Sequence, residues 1–375
     1  MLVLNTSQGS RDDNEDNQAD PALSLKKGNT MKALVLTGVK EFEMQDLSTP
    51  KIAPDEVLVN TAYAGVCGTD HDLYAGRPGS AAAVPPIVLG HENSGVVAAV
   101  GDAVTNVKPG DRVAVDPNIY CGQCEFCLTQ RPELCDHLSA VGVTRNGGLA
   151  EQFTAPASVV YKLPDNVSLR DAAAIEPVSC AVHGLDLLKL RPYQKALVIG
   201  DGFMGQIFAQ LLQAYGVHQV DLAGIFDEKL ERNKELFGVA ETFNTTREEI
   251  PADSYDVIVE AVGLPATQAQ AVAAAKKGAQ VLMFGVGPAE AHFEMNTYDI
   301  YKKQLTIQGS FINPLTFRDA ISLISAGKMN IGGLISHELD LTQVQDFLDG
   351  KIQGVSKAVV KIGDFDCVSA GDVLA

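Results

Sequence analysis

Four cysteines crowd one stretch of the chain, Cys121-x2-Cys124-x2-Cys127-x7-Cys135. Four thiolates at this spacing can close a tetrahedral Zn²⁺ site that leaves no position for a substrate, so such a site is structural. The Gly and Pro residues around them suit a lobe without a core of its own, in which metal binding is part of the folding energy. The competing reading is a set of ordinary buried or redox thiols. A second set is Cys67-Gly68-Thr69-Asp70 with Gly90-His91-Glu92-x2-Gly95. Cysteine, histidine and carboxylate together suit an open zinc site. Taken singly, Gly-His-Glu is also a turn and Cys67 a buried thiol. A third is Gly200-Asp201-Gly202-Phe203-Met204-Gly205. Its glycines allow a tight turn and let a pyrophosphate approach a helix N-terminus.

These groups need elements to hold them. Ala196-Leu197-Val198-Ile199 is a short buried strand before the glycine loop. Met204, Ile207, Phe208, Leu211, Leu212 and Tyr215 then recur at helical spacing, and Gly216 is a stop. Further buried strands are expected at 220–226, 257–261, 281–285 and 305–308. Strands separated by helices imply right-handed βαβ units and a parallel sheet. From Met31 to about Asn166, short apolar runs alternate with Gly, Pro and Asp, which reads as β-rich chain with many turns. Residues 171–190 read as helical. After about residue 313, helices are expected near 316–327 and 342–349, and a last strand at 356–362.

A length of 375 residues suggests two domains, with a cleft between them. The net charge of −18 repels phosphate backbones, so nucleic-acid binding is not expected. No apolar run reaches membrane-helix length and no secretory signal precedes Met31, so a soluble, cytoplasmic protein is expected. Residues 1–30 are polar and acidic and read as a disordered tail. Seven cysteines, an odd count, argue against a disulfide framework. Cys180 and Cys367 read as residues without function.

Together the three motifs resemble the zinc-containing medium-chain alcohol and polyol dehydrogenases. The resemblance extends to Gly101, Val104 and Gly110-Asp111-Arg112-Val113 and spans residues 31–363. Ala174-Ile175-Glu176-Pro177 is similar to the sorbitol dehydrogenase branch, and the stretch from Tyr298 to Phe311 resembles polyol-type members more softly. The resemblance implies an α/β chain: a β-rich GroES-like catalytic domain (31–182 plus 314–375) and a Rossmann doubly wound cofactor domain (183–313). It implies two zinc ions per subunit. The catalytic one is held by Cys67, His91 and Glu92, with Glu176 as a ligand or acting through water. The structural one is held by Cys121, Cys124, Cys127 and Cys135. The implied reaction is hydride transfer between a sugar alcohol, such as D-arabinitol, sorbitol or xylitol, and a nicotinamide cofactor. Thr69 matches the first step of a proton relay, which His71 or Asp72 could continue, while Asp70 would orient His91. Alternatives are a dehydrogenase of a simple secondary alcohol, diol or threonine, and a non-catalytic cofactor-binding protein. Family members imply a homodimer or homotetramer.

Cofactor-binding residues are Gly200, Gly202, Phe203, Met204 and Gly205, with Gly224 and Lys229 at the ribose. An NAD enzyme needs an acid at the end of the second strand. That place falls on Gly224, with Lys229 and Arg232 nearby to offer charge. The reading therefore favours NADP over NAD. Asp221 or Asp227 could supply the acid if the strand register differs.

Overall fold

A computed structural model describes residues 30–365. The expected tail, apart from Thr30, and Cys367 lie outside the described residues. Thr30 already opens the first strand, Thr30–Gly38, whose apolar residues Ala33 to Leu36 are buried.

The first unit is built around the strand Glu56–Val66. It pairs antiparallel with Glu92–Val100, with Gln152–Pro156 along its first half and with Ala358–Lys361 along its second. The sheet continues through Arg112–Val115 to Val160–Lys162 on one side and to His337–Leu339 on the other. Ala358–Lys361 therefore sits beside Glu56–Val66, and segments far apart along the chain share one body. Val57, Val59, Val97, Val113, Val115 and Phe153 form a core on this sheet.

The second unit is a six-stranded sheet in the order Thr242–Asn244, Gln219–Gly224, Lys195–Ile199, Tyr255–Glu260, Ala275–Met283, Thr306–Gly309. All neighbours run parallel. The third strand in chain order lies outermost and the first lies central. That is the doubly wound order, in which a ligand binds where the strand order reverses, beyond the carboxyl ends of the first and fourth strands. Lys195–Ile199 is almost wholly buried, as an apolar run in a sheet covered on both faces should be.

Several expected elements appear with altered limits. The predicted 171–190 helix is a short turn, Leu169–Ala172, followed by the helix Ile175–Asp186. Pro177 falls in the first turn of the longer helix, where its missing N–H costs no intrahelical bond. This helix packs against both Phe203–Ala214 and Phe317–Ser325. A domain boundary after residue 182 would fall inside it. Strands Thr242–Asn244 and His337–Leu339 were not anticipated; at three residues each they carry too little pattern to read. Among the described residues no helix is long and apolar enough to cross a membrane.

Candidate active site

The strand Glu56–Val66 delivers Cys67 immediately after its end, where Cys67 caps the helix Gly68–Tyr74. The neighbouring strand begins at Glu92, so His91 and Glu92 arrive alongside. One ligand atom from each of Cys67, His91 and Glu92 lies within 4.8 Å of the others. Glu92 Oε1 is buried and has no hydrogen-bond partner. A buried carboxylate oxygen left unsatisfied is costly, and a cation removes that cost. The donor set and the orphaned oxygen both fit zinc.

Asp70 faces both Cys67 and His91. Its Oδ2 accepts the Cys67 N–H at 2.9 Å, and its Oδ1 lies 3.4 Å from His91 Nδ1. With Nδ1 turned to Asp70, Nε2 is the ring nitrogen left for a metal. Burial raises the Asp70 carboxyl, but the His91 ring and the Cys67 amide outweigh it and hold the group below its ordinary range.

Glu176, on the first turn of Ile175–Asp186, stands beside the Cys67–His91–Glu92 cluster rather than in it. Its Oε1 accepts a hydrogen bond from Cys180 Sγ at 3.2 Å. Burial raises its carboxyl, and the Glu92 charge adds to this against the pull of His91. Cys180, expected to be inert, thus touches the site one helical turn from Glu176. Thr69 is half-buried in the first turn of its helix, its methyl facing Gly79. Of the two relay candidates, His71 is half-buried and stacks edge-on against Phe347 at 5.3 Å. Asp72 is engaged by Arg77 at 2.6 Å.

Lys357 was not foreseen. Its side chain is 4% exposed; its ammonium pairs with Glu92 Oε2 and donates to the Val66 carbonyl at 3.1 Å. It also lies 5.0 Å from the centre of the Phe203 ring. One buried cation therefore touches both a metal-ligand candidate and the first residue of the helix after the glycine loop.

In the four-cysteine lobe, ligand atoms of Cys121, Cys124, Cys127 and Cys135 all lie within 4.8 Å of one another. The Cys124 thiol is held below its ordinary range by the Cys127 and Asp136 backbone N–H groups. The lobe's helix, Glu125–Leu128, buries none of its side chains, in keeping with a lobe that needs a metal in place of a core.

The glycine loop leads from Lys195–Ile199 into the helix Phe203–Ala214, capped by Gly202. A Cβ on Gly205 would lie 1.7 Å from the Gly200 carbonyl oxygen, so this turn admits only glycine there. Phe203 is buried and Met204 half-buried against the core. At the ribose end, Gly224 is the last residue of its strand. The premise that this end lacks a carboxylate is not met. The Asp201 side chain fills the space, its Oδ2 accepting from Ile225 N and Phe226 N at 2.8 Å each. Asp221 is buried within the strand, beside Lys195 and Tyr255. Asp227 is bound by Arg247 and Asn244. Lys229 lies over the Phe226 ring at 4.7 Å.

A metal-ligand cluster on a β-rich unit, beside a doubly wound sheet with a glycine loop, defines a zinc-type oxidoreductase. Residues 53–165 match the alcohol dehydrogenase GroES-like domain, and residues 204–326 the zinc-binding dehydrogenase domain. The chain is 32% identical to D-arabinitol dehydrogenase 1 of Uromyces fabae over 85% of its own length and 93% of that protein's. It is 29% identical to the sorbitol dehydrogenase of Bacillus subtilis over 86% and 94%. A zinc-binding dehydrogenase-type structure from Sinorhizobium meliloti 1021, bound to NADP, matches with TM-score 0.85 and 32% identity over 89% of this chain and all of that one. An alcohol dehydrogenase of Escherichia coli CFT073, complexed with NADH, matches with TM-score 0.82 and 29% identity over 89% of this chain and all of that one. The chain belongs to the zinc-containing medium-chain polyol dehydrogenase family.

Proposed function

We propose that the protein interconverts a sugar alcohol and its ketose, passing a hydride between the carbinol carbon and a nicotinamide dinucleotide. The observation that carries this is Lys357, which ties Glu92 of the metal cluster to Phe203 of the coenzyme loop. The substrate class rests on Glu176-Pro177 and on the D-arabinitol and sorbitol dehydrogenases among the relatives.

Cys67, His91 and Glu92 would hold a zinc ion, which would supply a Lewis acid to lower the pKa of the substrate hydroxyl. The chain's own residues do the rest. Asp70 fixes the His91 ring and the Cys67 backbone. Lys357 compensates the buried Glu92 carboxylate. Thr69 takes the hydroxyl proton outward, with His71 as the next group. Glu176 offers a second carboxyl beside the cluster to orient the substrate hydroxyl. Gly200 to Gly205 bring the pyrophosphate to the N-terminus of Phe203–Ala214. The four-cysteine lobe would hold a second, structural zinc.

We place the catalytic domain at 31–182 plus 314–375 and the cofactor domain at 183–313, with the helix Ile175–Asp186 crossing from one to the other. The reading also carries a cytoplasmic homodimer or homotetramer. The outermost strand Thr306–Gly309 has one edge without a partner strand among the described residues, and Val286, Tyr301 and Leu315 are exposed apolar or aromatic residues, which supports self-association. The test is reduction of coenzyme by zinc-replete protein with D-arabinitol, sorbitol, xylitol, butane-2,3-diol and threonine. Turnover best with a polyol supports the reading; turnover confined to the diol or threonine overturns the substrate class.

A further inference from the structure

We propose that Asp201 selects the coenzyme, as an internal carboxylate at the ribose 2′ position, and that it selects NAD over NADP. The inference rests on the dinucleotide reading above. In a doubly wound sheet the acid that binds the ribose 2′-hydroxyl stands at the end of the second strand. Here that residue is Gly224, and it is kept bare: a Cβ there would lie 2.5 Å from both Cβ and Oδ2 of Asp201. The carboxylate has not been lost. It comes from the glycine loop instead of the strand.

Its partners show what it displaces. Ile225 N and Phe226 N are successive backbone donors in the turn after the strand, and both point at Asp201 Oδ2. Consecutive N–H groups in such a turn form an anion-binding nest. Without an acid on the strand, this nest is where a 2′-phosphate would be received. Asp201 already occupies it, and at 7% exposure its charge is poorly screened. Cations to offset the clash are scarce. The Arg232 guanidinium donates to the Gly333 carbonyl, and Arg247 grips Asp227 at 2.6 and 2.8 Å. Lys229 lies over Phe226, with exposed Asp227 and Glu228 opposing it. A 2′-hydroxyl donates to a carboxylate; a 2′-phosphate, with nearly two negative charges, is repelled by it.

The chain has no tryptophan, so binding is read from the emission of the reduced coenzyme itself. NADH and NADPH are titrated into the wild type, Asp201→Ala, and the double variant Asp201→Gly with Gly224→Asp. The wild type is expected to hold NADH at least about tenfold tighter than NADPH, and Asp201→Ala to shift that ratio toward NADPH by about tenfold or more. The double variant, which moves the acid to the strand, is expected to restore preference for NADH. A wild type that binds NADPH as tightly as NADH, or an Asp201→Ala ratio equal to wild type, overturns the proposal. Binding of neither coenzyme overturns the dinucleotide reading itself, and this inference with it.

Discussion

Lys357 and Glu92 form an ion pair in the protein interior, their side chains 4% and 0% exposed. The pair brings the last strand's approach against the strand that begins at Glu92. Removing one partner of a buried pair leaves an uncompensated charge, at a cost of about 3–5 kcal/mol. Lys357→Met is therefore expected to lower the urea midpoint sharply. Adding Glu92→Gln should recover part of the loss, because the two residues share one interaction. Equal midpoints for Lys357→Met and wild type would remove the pair from the account.

Gly65 leaves the space that Glu92 uses. A Cβ at this position would lie 1.8 Å from Glu92 Oε2 and 3.0 Å from the Ala173 carbonyl. Gly65→Ala should displace the carboxylate, costing about 1–3 kcal/mol as overpacking does. Zinc analysis of the purified variant should show loss of the metal at Cys67, His91 and Glu92, with the four-cysteine zinc retained. Full zinc occupancy and wild-type turnover would contradict this.

The lobe makes the opposite prediction. Cys127→Ser breaks the closed four-thiolate set without touching the substrate site. The variant should lose about one zinc per chain and become more sensitive to proteolysis within 121–135, since the lobe's folding depends on its metal. Wild-type zinc content and protease resistance would argue for ordinary thiols.

Asp116 predicts a pH dependence. Burial, foremost, outweighs the hydrogen bond from the Asn118 amide, and the Glu176 charge adds to the push, raising Asp116 from 3.8 to about 7. Between those values the folded state holds the proton more tightly than the unfolded chain. Its contribution to stability is thus complete below about pH 4 and falls as pH rises toward 7. Asp116→Asn keeps an oxygen for Asn118 N and Asn313 Nδ2 but cannot ionise. Relative to wild type, its urea midpoint should improve from pH 5 to pH 8. A parallel pH profile for the two proteins would show that Asp116 does not titrate in this window.

The parts of this molecule that sequence reveals are those whose partners lie close along the chain. Four cysteines between 121 and 135 announce a metal lobe, and a strand, a glycine loop and an amphipathic helix in succession announce a dinucleotide unit. His91 and Glu92 are adjacent and of ligand type, but it is the family resemblance that groups them with Cys67, which lies well upstream in sequence. Lys357 has no such neighbours: it reaches Val66 and Glu92 only because the last strand inserts beside Glu56–Val66. Asp201 was visible as a residue, but the direction of its side chain was not. Counting along the strand places Gly224 at its end but misses the carboxylate, which arrives from the glycine loop after the neighbouring strand. Cys180 is the exception: four residues from Glu176 in a stretch that reads as helical, its contact with that carboxylate lies within reach of the sequence.

The central claim, zinc-dependent oxidation of a polyol, is tested most directly by titrating metal against turnover. A chelator would be used to strip the protein until only the zinc of the four-cysteine lobe remains, and D-arabinitol oxidation followed as Zn²⁺ is returned. The account predicts negligible turnover in the stripped protein and recovery that rises in proportion to the second zinc, reaching a plateau at about two per chain. Undiminished turnover in the stripped protein, or none after zinc is restored with any of the three polyols, would contradict it.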